Sequence, residues 1–166
     1  ADCILLALPV GETGVVLKQL APHLKPGAVV TDAGSTKVNV VAAARMALGE
    51  RFADFVPGHP IAGSEQSGPG AARADLYQGK KVVLTPQADT RANALATVRA
   101  LWEATGAQVE TLDADLHDRV FAAVSHLPHL AAFALVDELA QRVDGDTFFR
   151  FAASGFRDFT RIAGSS

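Results

Sequence analysis

Apolar residues fall along this chain in two different spacings, and the change from one to the other divides it. Residues 3–8 are continuously apolar until Pro9, the pattern of a strand buried on both faces of a parallel sheet. Val16, Leu17, Leu20 and Leu24 then recur at helical spacing, and Lys25-Pro26-Gly27 stops them. Residues 28–31 predict a second buried strand, which runs into Asp32-Ala33-Gly34-Ser35-Thr36-Lys37. Ser35 or Thr36 is placed to cap the next helix, which carries Val38, Val41, Ala42 and Leu48 on one side and Gly49 at its end. Residues 52–56, 81–85 and 108–112 predict three more strands, the fourth stopped by Pro86. Between them lie a short helix at 70–77 and a longer one, capped by Thr90, with Leu95, Val98, Leu101 and Trp102 ahead of Gly106.

At Asp113 the strand pattern ends. Leu116, Val120, Val124, Leu127 and Leu130 predict one long helix over 113–142, kinked at Pro128. After the turn Asp144-Gly145-Asp146, five of the nine phenylalanines fall between Phe148 and Phe159. Strand–helix alternation with short links argues for an α/β parallel sheet wound on both faces over 1–112, followed by a helical domain from 113 to 166.

Composition narrows the function classes. With 49% hydrophobic residues in 166, the chain is globular. A net charge of −3 gives no basic face for nucleic acid or for a membrane surface. Cys3 is the one cysteine, so no internal disulfide or cysteine metal cage forms, which fits a reducing cytoplasm. No apolar run approaches the ~18 residues of a membrane span, and the apolar start carries no basic signal region. The chain begins inside a strand and without a methionine, so we expect a piece of a longer protein.

Candidate chemistry gathers where strands end. Val56-Pro57-Gly58-His59-Pro60-Ile61-Ala62-Gly63-Ser64-Glu65-Gln66-Ser67-Gly68 holds one histidine between two prolines. Prolines fix φ on both sides of His59, which suits an imidazole held at a defined angle for proton transfer, as it equally suits a structural turn. The 32–37 stretch offers helix-start amides to an anion but lacks Walker spacing, and a plain N-cap explains it as well. His126 and His129 are three apart on one side of a helix. His117-Asp118 leaves a metal phosphohydrolase open as an alternative, without clearly placed further acidic ligands. Asp158 and Arg161 are helical neighbours and could form an exposed ion pair; alternatively one of the two arginines set among phenylalanines, Arg157 or Arg161, binds a carboxylate.

Taken together, Asp32–Lys37, Gly58-His59-Pro60-Ile61-Ala62-Gly63-Ser64-Glu65, His117-Asp118, Ser125-His126-Leu127-Pro128-His129 and the 155–163 stretch resemble the prephenate dehydrogenase family, which includes arogenate and cyclohexadienyl dehydrogenases. They occur in family order over nearly the whole chain. The resemblance implies a partial Rossmann-type sheet lacking its first βαβ unit, then the beginning of an all-helical dimerisation domain. It implies NAD- or NADP-dependent oxidative decarboxylation of prephenate, or of arogenate, in tyrosine biosynthesis, by a cytoplasmic homodimer.

On the matching positions His59 resembles the catalytic histidine and Ser35 the serine that shares its substrate hydroxyl. Arg161 resembles the arginine that binds a substrate carboxylate, with Ser64, Glu65, Asp158, His126 and His129 around the same substrate. Leu8, Pro9, Ser35 and Pro60 resemble residues beside the dinucleotide. The family's G-x-G-x-x-G loop is not in this sequence. Two other readings stay open: another Rossmann dehydrogenase acting on hydroxy acids or imines, and a non-catalytic module for aromatic-ligand binding or dimerisation.

Overall fold

The computed structural model describes residues 1–63 and 68–164. They form two compact units, one of residues 1–63 and 73–118, the other of 68–72 and 119–164.

In the first unit β1 (Cys3–Leu6), β2 (Val29–Asp32) and β3 (Phe55–Val56) pair in parallel, with Leu6 opposite Asp32 and Thr31 opposite Val56. One residue later β4 (Gly58–Pro60) pairs antiparallel with β5 (Lys81–Leu84), and β6 (Gln108–Thr111) lies parallel to β5. The Thr85 amide donates to the Pro57 carbonyl at 2.9 Å, so the stretch 55–60 hands its hydrogen bonding from one sheet to the other. The parallel sheet read from the sequence is thus mixed at β4, and the Gly58-His59 segment is a strand where a loop was expected. Pro57 and Pro60 have no amide to give a ladder, which keeps both β3 and β4 short. Residues 49–54 form a 3-10 turn, so the predicted strand at 52–56 contracts to two residues while Phe52 enters the core.

The helices of this unit bury single rows at four-residue spacing. α1 (Thr13–Leu20), flanked by 3-10 turns, packs against α2 (Val38–Leu48). α2 buries Val40, Ala44 and Leu48 with Leu6, Leu17, Val30, Phe52 and Phe55, while Val38 stays exposed. α3 (Ala92–Glu103) buries Ala94, Val98 and Trp102 against Val29, Val56, Val82 and Leu84, and leaves Leu101 exposed. The inward rows therefore differ from those the sequence predicted, Val38, Val41, Ala42 and Leu48 in α2 and Leu95, Val98, Leu101 and Trp102 in α3. Each inward row contains an alanine, whose small side chain lets the helix backbone lie close to the sheet. Each large side chain so buried contributes about 1.5–3 kcal/mol. Thr90 does not cap α3; its hydroxyl accepts from the Gln87 amide, and Arg91 takes the cap position. The predicted helix at 70–77 reduces to a 3-10 turn, Pro69–Ala71.

α4 (Ala114–Phe121) opens on Asp113, whose carboxylate accepts from the Asp115 and Leu116 amides. A π turn, Ala122–His126, connects it to α5 (Leu127–Ala140), followed by α6 (Gly145–Arg150), α7 (Ser154–Thr160) and a 3-10 turn at Arg161–Gly164. The effect of Pro128 appears one turn early. The Leu127 amide reaches back to the Ala122 carbonyl, a widened turn that makes room for a ring that cannot donate.

Val120, Val124, Leu127, Leu130 and Phe133 are exposed along these helices. Ala114–Ala140 contains an 18-residue window of mean hydropathy 1.5, long and apolar enough by length and composition to cross a membrane. Counting uninterrupted apolar runs in the sequence misses it, because His117, Asp118, Ser125 and His126 break the run without ending the helix.

Candidate functional site

The site in the first unit is built around a lysine that never meets water. Lys37 is fully buried, and its Nζ donates to Asp32 Oδ2 and to the Gly58 carbonyl, each at 2.6 Å. Asp32, at the end of β2, also accepts from the Gly34 amide at 2.8 Å and, through Oδ1, from the Gly58 amide at 3.0 Å. Both polar groups of Gly58 are thereby gripped by one buried ion pair. Burial pulls the Lys37 ammonium below its ordinary pKa, against the raising effect of Asp32 and Asp118. Gly58 has to be glycine: a Cβ there would stand 2.8 Å from the Asp32 carbonyl. The clamp fixes the backbone one residue before His59.

His59 sits half-buried on β4, with Nδ1 2.8 Å from Nε2 of His117, and the two rings meet edge-on at 66°. His117, on α4, is fully buried, and its Nδ1 lies 2.8 Å from Asp118 Oδ1. The same carboxylate accepts from the Lys37 amide at 2.8 Å and the Val38 amide at 2.9 Å. The cap on α2 is therefore supplied by Asp118, about 80 residues further along the chain, and not by Ser35 or Thr36. Thr36 instead donates its hydroxyl to Asn39 Oδ1. An anion at a helix N-terminus satisfies orphan amides and meets the positive end of the dipole.

Burial opposes ionisation of Asp118, but the Val38 and Lys37 amides and the His117 ring together hold its carboxyl below the ordinary value. Burial lowers the pKa of His117, outweighing the pull of Asp118. Both nitrogens of His117 face other side chains, which argues against the metal reading of His117-Asp118. Among the described residues no group of three or more His, Cys, Asp or Glu side chains gathers to hold a metal.

The other residues singled out in the sequence are placed as follows. Leu8, half-buried, and Pro9, exposed, follow β1, and Ser35 lies exposed after β2, so they occupy adjoining carboxyl ends of parallel strands. Those two loops touch: a Cβ on Gly34 would lie 3.0 Å from Val10 Cγ2. Pro60 is buried at the end of β4. Ser64 and Glu65 lie outside the described residues.

In the second unit His126 and His129 are half-buried, and His129 Nδ1 lies 2.6 Å from the Ser125 carbonyl, which leaves the proton on Nδ1. Asp158 is on α7, and Arg161 opens the turn after it. Both are exposed, so burial does not force an anion onto Arg161. A groove of about 620 Å³ between α1 and α2, lined by Val10, Val15, Asn39 and Met46 among others, contains none of these side chains. The sequence reading had given Lys37 no role of its own and had considered Asp118 only in the metal alternative. The one signal for them was a lysine in a short polar stretch directly before a helix, and an aspartate beside a histidine.

Residues 1–111 match the model of the prephenate dehydrogenase nucleotide-binding domain, and residues 113–166 that of the prephenate dehydrogenase dimerisation domain. The chain is 39% identical over 167 residues to a cyclohexadienyl dehydrogenase of Zymomonas mobilis, covering 99% of this chain and 56% of that protein. It is 39% identical to a prephenate dehydrogenase of Bacillus subtilis, of which it covers 45%. Among solved structures, prephenate dehydrogenase from A. aeolicus, in complex with hydroxyphenyl propionate and NAD+, superposes with a TM-score of 0.90 at 44% identity, over 99% of this chain and 57% of that one. The chain thus spans about half the length of the relatives it matches. The two domain models match in order over nearly the whole chain, and this chain belongs to the prephenate dehydrogenase family.

Proposed function

We propose that the protein to which this chain belongs carries out the NAD(P)-dependent oxidative decarboxylation of prephenate to 4-hydroxyphenylpyruvate, or of arogenate to tyrosine, in the cytoplasm. The two substrates differ in the side chain and share the reacting ring, so the ring chemistry below applies to both. The observation that carries the reading is the anchoring of His59. Its backbone is clamped through Gly58 and its Nδ1 is held by His117, so the ring is fixed at a defined angle, as a proton-accepting imidazole requires.

Leu8, Pro9, Ser35 and Pro60 would line the nicotinamide end of a bound dinucleotide. Leu8, Pro9 and Ser35 follow the carboxyl ends of two adjoining parallel strands, the place where such sheets bind a dinucleotide. When bound, NAD or NADP supplies the acceptor for the hydride of the substrate's carbinol carbon. His59 accepts the hydrogen bond of the ring hydroxyl and takes its proton. Ser35 donates to the same hydroxyl oxygen and orients it. The bond from the ring to its carboxylate breaks, carbon dioxide leaves, the ring becomes aromatic, and His59 returns the proton to the phenolic oxygen. Aromatisation drives the reaction, so the protein's task is orientation and the movement of one proton.

Arg161 grips a substrate carboxylate through paired N–H donors, as guanidinium groups do. Asp158, His126, His129, Ser64 and Glu65 are assigned to the binding of the same substrate. The exposed apolar row from Val120 to Phe133 is covered by a second copy of the chain, giving a homodimer.

The test is an assay of the full-length protein with each substrate and each dinucleotide, following reduced nicotinamide. His59→Asn should lower kcat by roughly 10²–10⁴-fold with little change in KM, and Arg161→Ala should mainly raise KM. Near-normal turnover by the His59 variant would remove that residue from the mechanism.

A further inference from the structure

We infer that His117 and Asp118 are positioning residues that fix the tautomer of His59, placing its proton on Nδ1 and its lone pair on Nε2. The inference deepens the proposed function and rests on it for the role of Nε2, but the proton positions follow from hydrogen bonding alone. It begins at α2, where the Asp118 carboxylate accepts two backbone amides, those of Lys37 and Val38. A carboxylate held ionised in this way has only acceptor sites to offer, so Nδ1 of His117, 2.8 Å away, must carry the proton and donate it. His117 is fully buried and kept neutral, so with its proton on Nδ1 its Nε2 is an acceptor. Nε2 faces Nδ1 of His59 at 2.8 Å, and the donor in that contact has to be His59. A neutral imidazole with its proton on Nδ1 has its lone pair on Nε2. That nitrogen is then the one able to receive a substrate proton.

The other charges around His117 fit the same arrangement. Lys37 and Asp32 act on it from the far side of the cluster as a closed ion pair, at 2.6 Å, and so add little net charge. When His59 takes a proton at Nε2, the imidazolium remains bonded through His117 to the Asp118 carboxylate. No bond other than N–H changes, and no co-reactant is needed. The arrangement resembles in its logic the aspartate that holds a hydrolase histidine in one tautomer, where replacing the carboxylate by an amide inverts the proton positions and lowers kcat by about 10⁴-fold. Here a second histidine stands between the carboxylate and the base.

Two measurements on the full-length enzyme test this. Two-bond proton–nitrogen correlation spectra, recorded above the imidazole titration range, report which nitrogen of His59 is protonated without reference to turnover. The expected result is a protonated Nδ1 and a bare Nε2 in the wild type, and a shift of the proton to Nε2 in Asp118→Asn, whose amide donates to His117. The same variant should lose about 10²–10⁴-fold in kcat with KM changed less than about threefold. Because Asp118→Asn also weakens the α2 cap, a second pair separates position from stability. His117→Gln keeps an amide oxygen to accept from His59 and should retain at least about tenfold more kcat than His117→Leu, although both delete the same buried ring.

A wild-type His59 protonated at Nε2 would overturn the inference, as would an Asp118→Asn enzyme with wild-type kcat, or equal kcat in the two His117 variants. If the wild-type protein oxidises neither prephenate nor arogenate, the functional reading fails, while the spectra still decide the tautomer.

Discussion

Replacing Lys37 by methionine removes the cation from the buried clamp with little change in side-chain volume. The variant leaves the Asp32 carboxylate, 2% exposed, with the Gly34 and Gly58 amides but no counter-charge. It also takes from the Gly58 carbonyl a donor at 2.6 Å. Breaking a buried pair by deleting one partner destabilises by about 3–5 kcal/mol, and the orphaned carbonyl is part of that figure rather than an addition to it. Urea unfolding of the full-length protein measures the loss. The double variant Asp32→Asn/Lys37→Met should be less damaged than the two singles summed, by about 1–3 kcal/mol, because a neutral amide at 32 no longer needs a cation. Turnover should fall as well, since Gly58 holds the backbone of His59, and a displacement of about 1 Å at a reacting group lowers rates by about 10²-fold. A Lys37→Met protein within about 0.5 kcal/mol of wild type would refute the clamp, and strict additivity in the double variant would refute the coupling.

Three further outcomes follow from the same contacts. Gly58→Ala pushes a Cβ to 2.8 Å from the backbone oxygen of Asp32, which cannot yield as a flexible side chain would, so thermal unfolding should show about 1–3 kcal/mol lost. His117 has a folded pKa below its ordinary 6.5, so between those two values the unfolded chain binds the extra proton and the folded one does not. Stability should therefore fall as pH drops below about 6.5 and level off under the folded pKa. His117→Gln should lack that part of the pH dependence in urea melts. On the helical unit, Leu130→Asp sets a charge in the middle of the exposed apolar row and should shift the full-length protein from dimer to monomer in sedimentation velocity. An unchanged sedimentation coefficient would refute the proposal that a second copy covers this row.

Much of the element order is legible in the sequence because alternation of apolar runs with punctuating glycine and proline is a local property. β1, β2, β5 and β6 fall within a residue or two of their predicted places, and Gly49 and Gly106 take positive φ at the turns where they were expected. The misses have a common origin. The inward faces of α2 and α3, the bend of β3 into β4 and the π turn before Pro128 depend on what each element packs against, which periodicity does not report. Ser35 and Thr36 were reasonable caps by residue type, yet the α2 amides go to Asp118. A fixed, largely buried carboxylate at a helix terminus is the stronger acceptor, and nothing within a few residues of α2 signals its presence.

The sequence by itself determined the strand–helix alternation, the change to helices near residue 113 and the placing of His59 between two prolines, since each follows from backbone stereochemistry and apolar spacing over a short window. Only the tertiary structure decided that Lys37 turns inward to Gly58 and that Asp118 returns to the head of α2. It also decided that His117 stands behind His59. These are choices of partner among buried polar groups. Leaving such a group unpaired is so unfavourable that the fold must bring it a complement, and which residue becomes that complement is settled by proximity in space rather than in sequence.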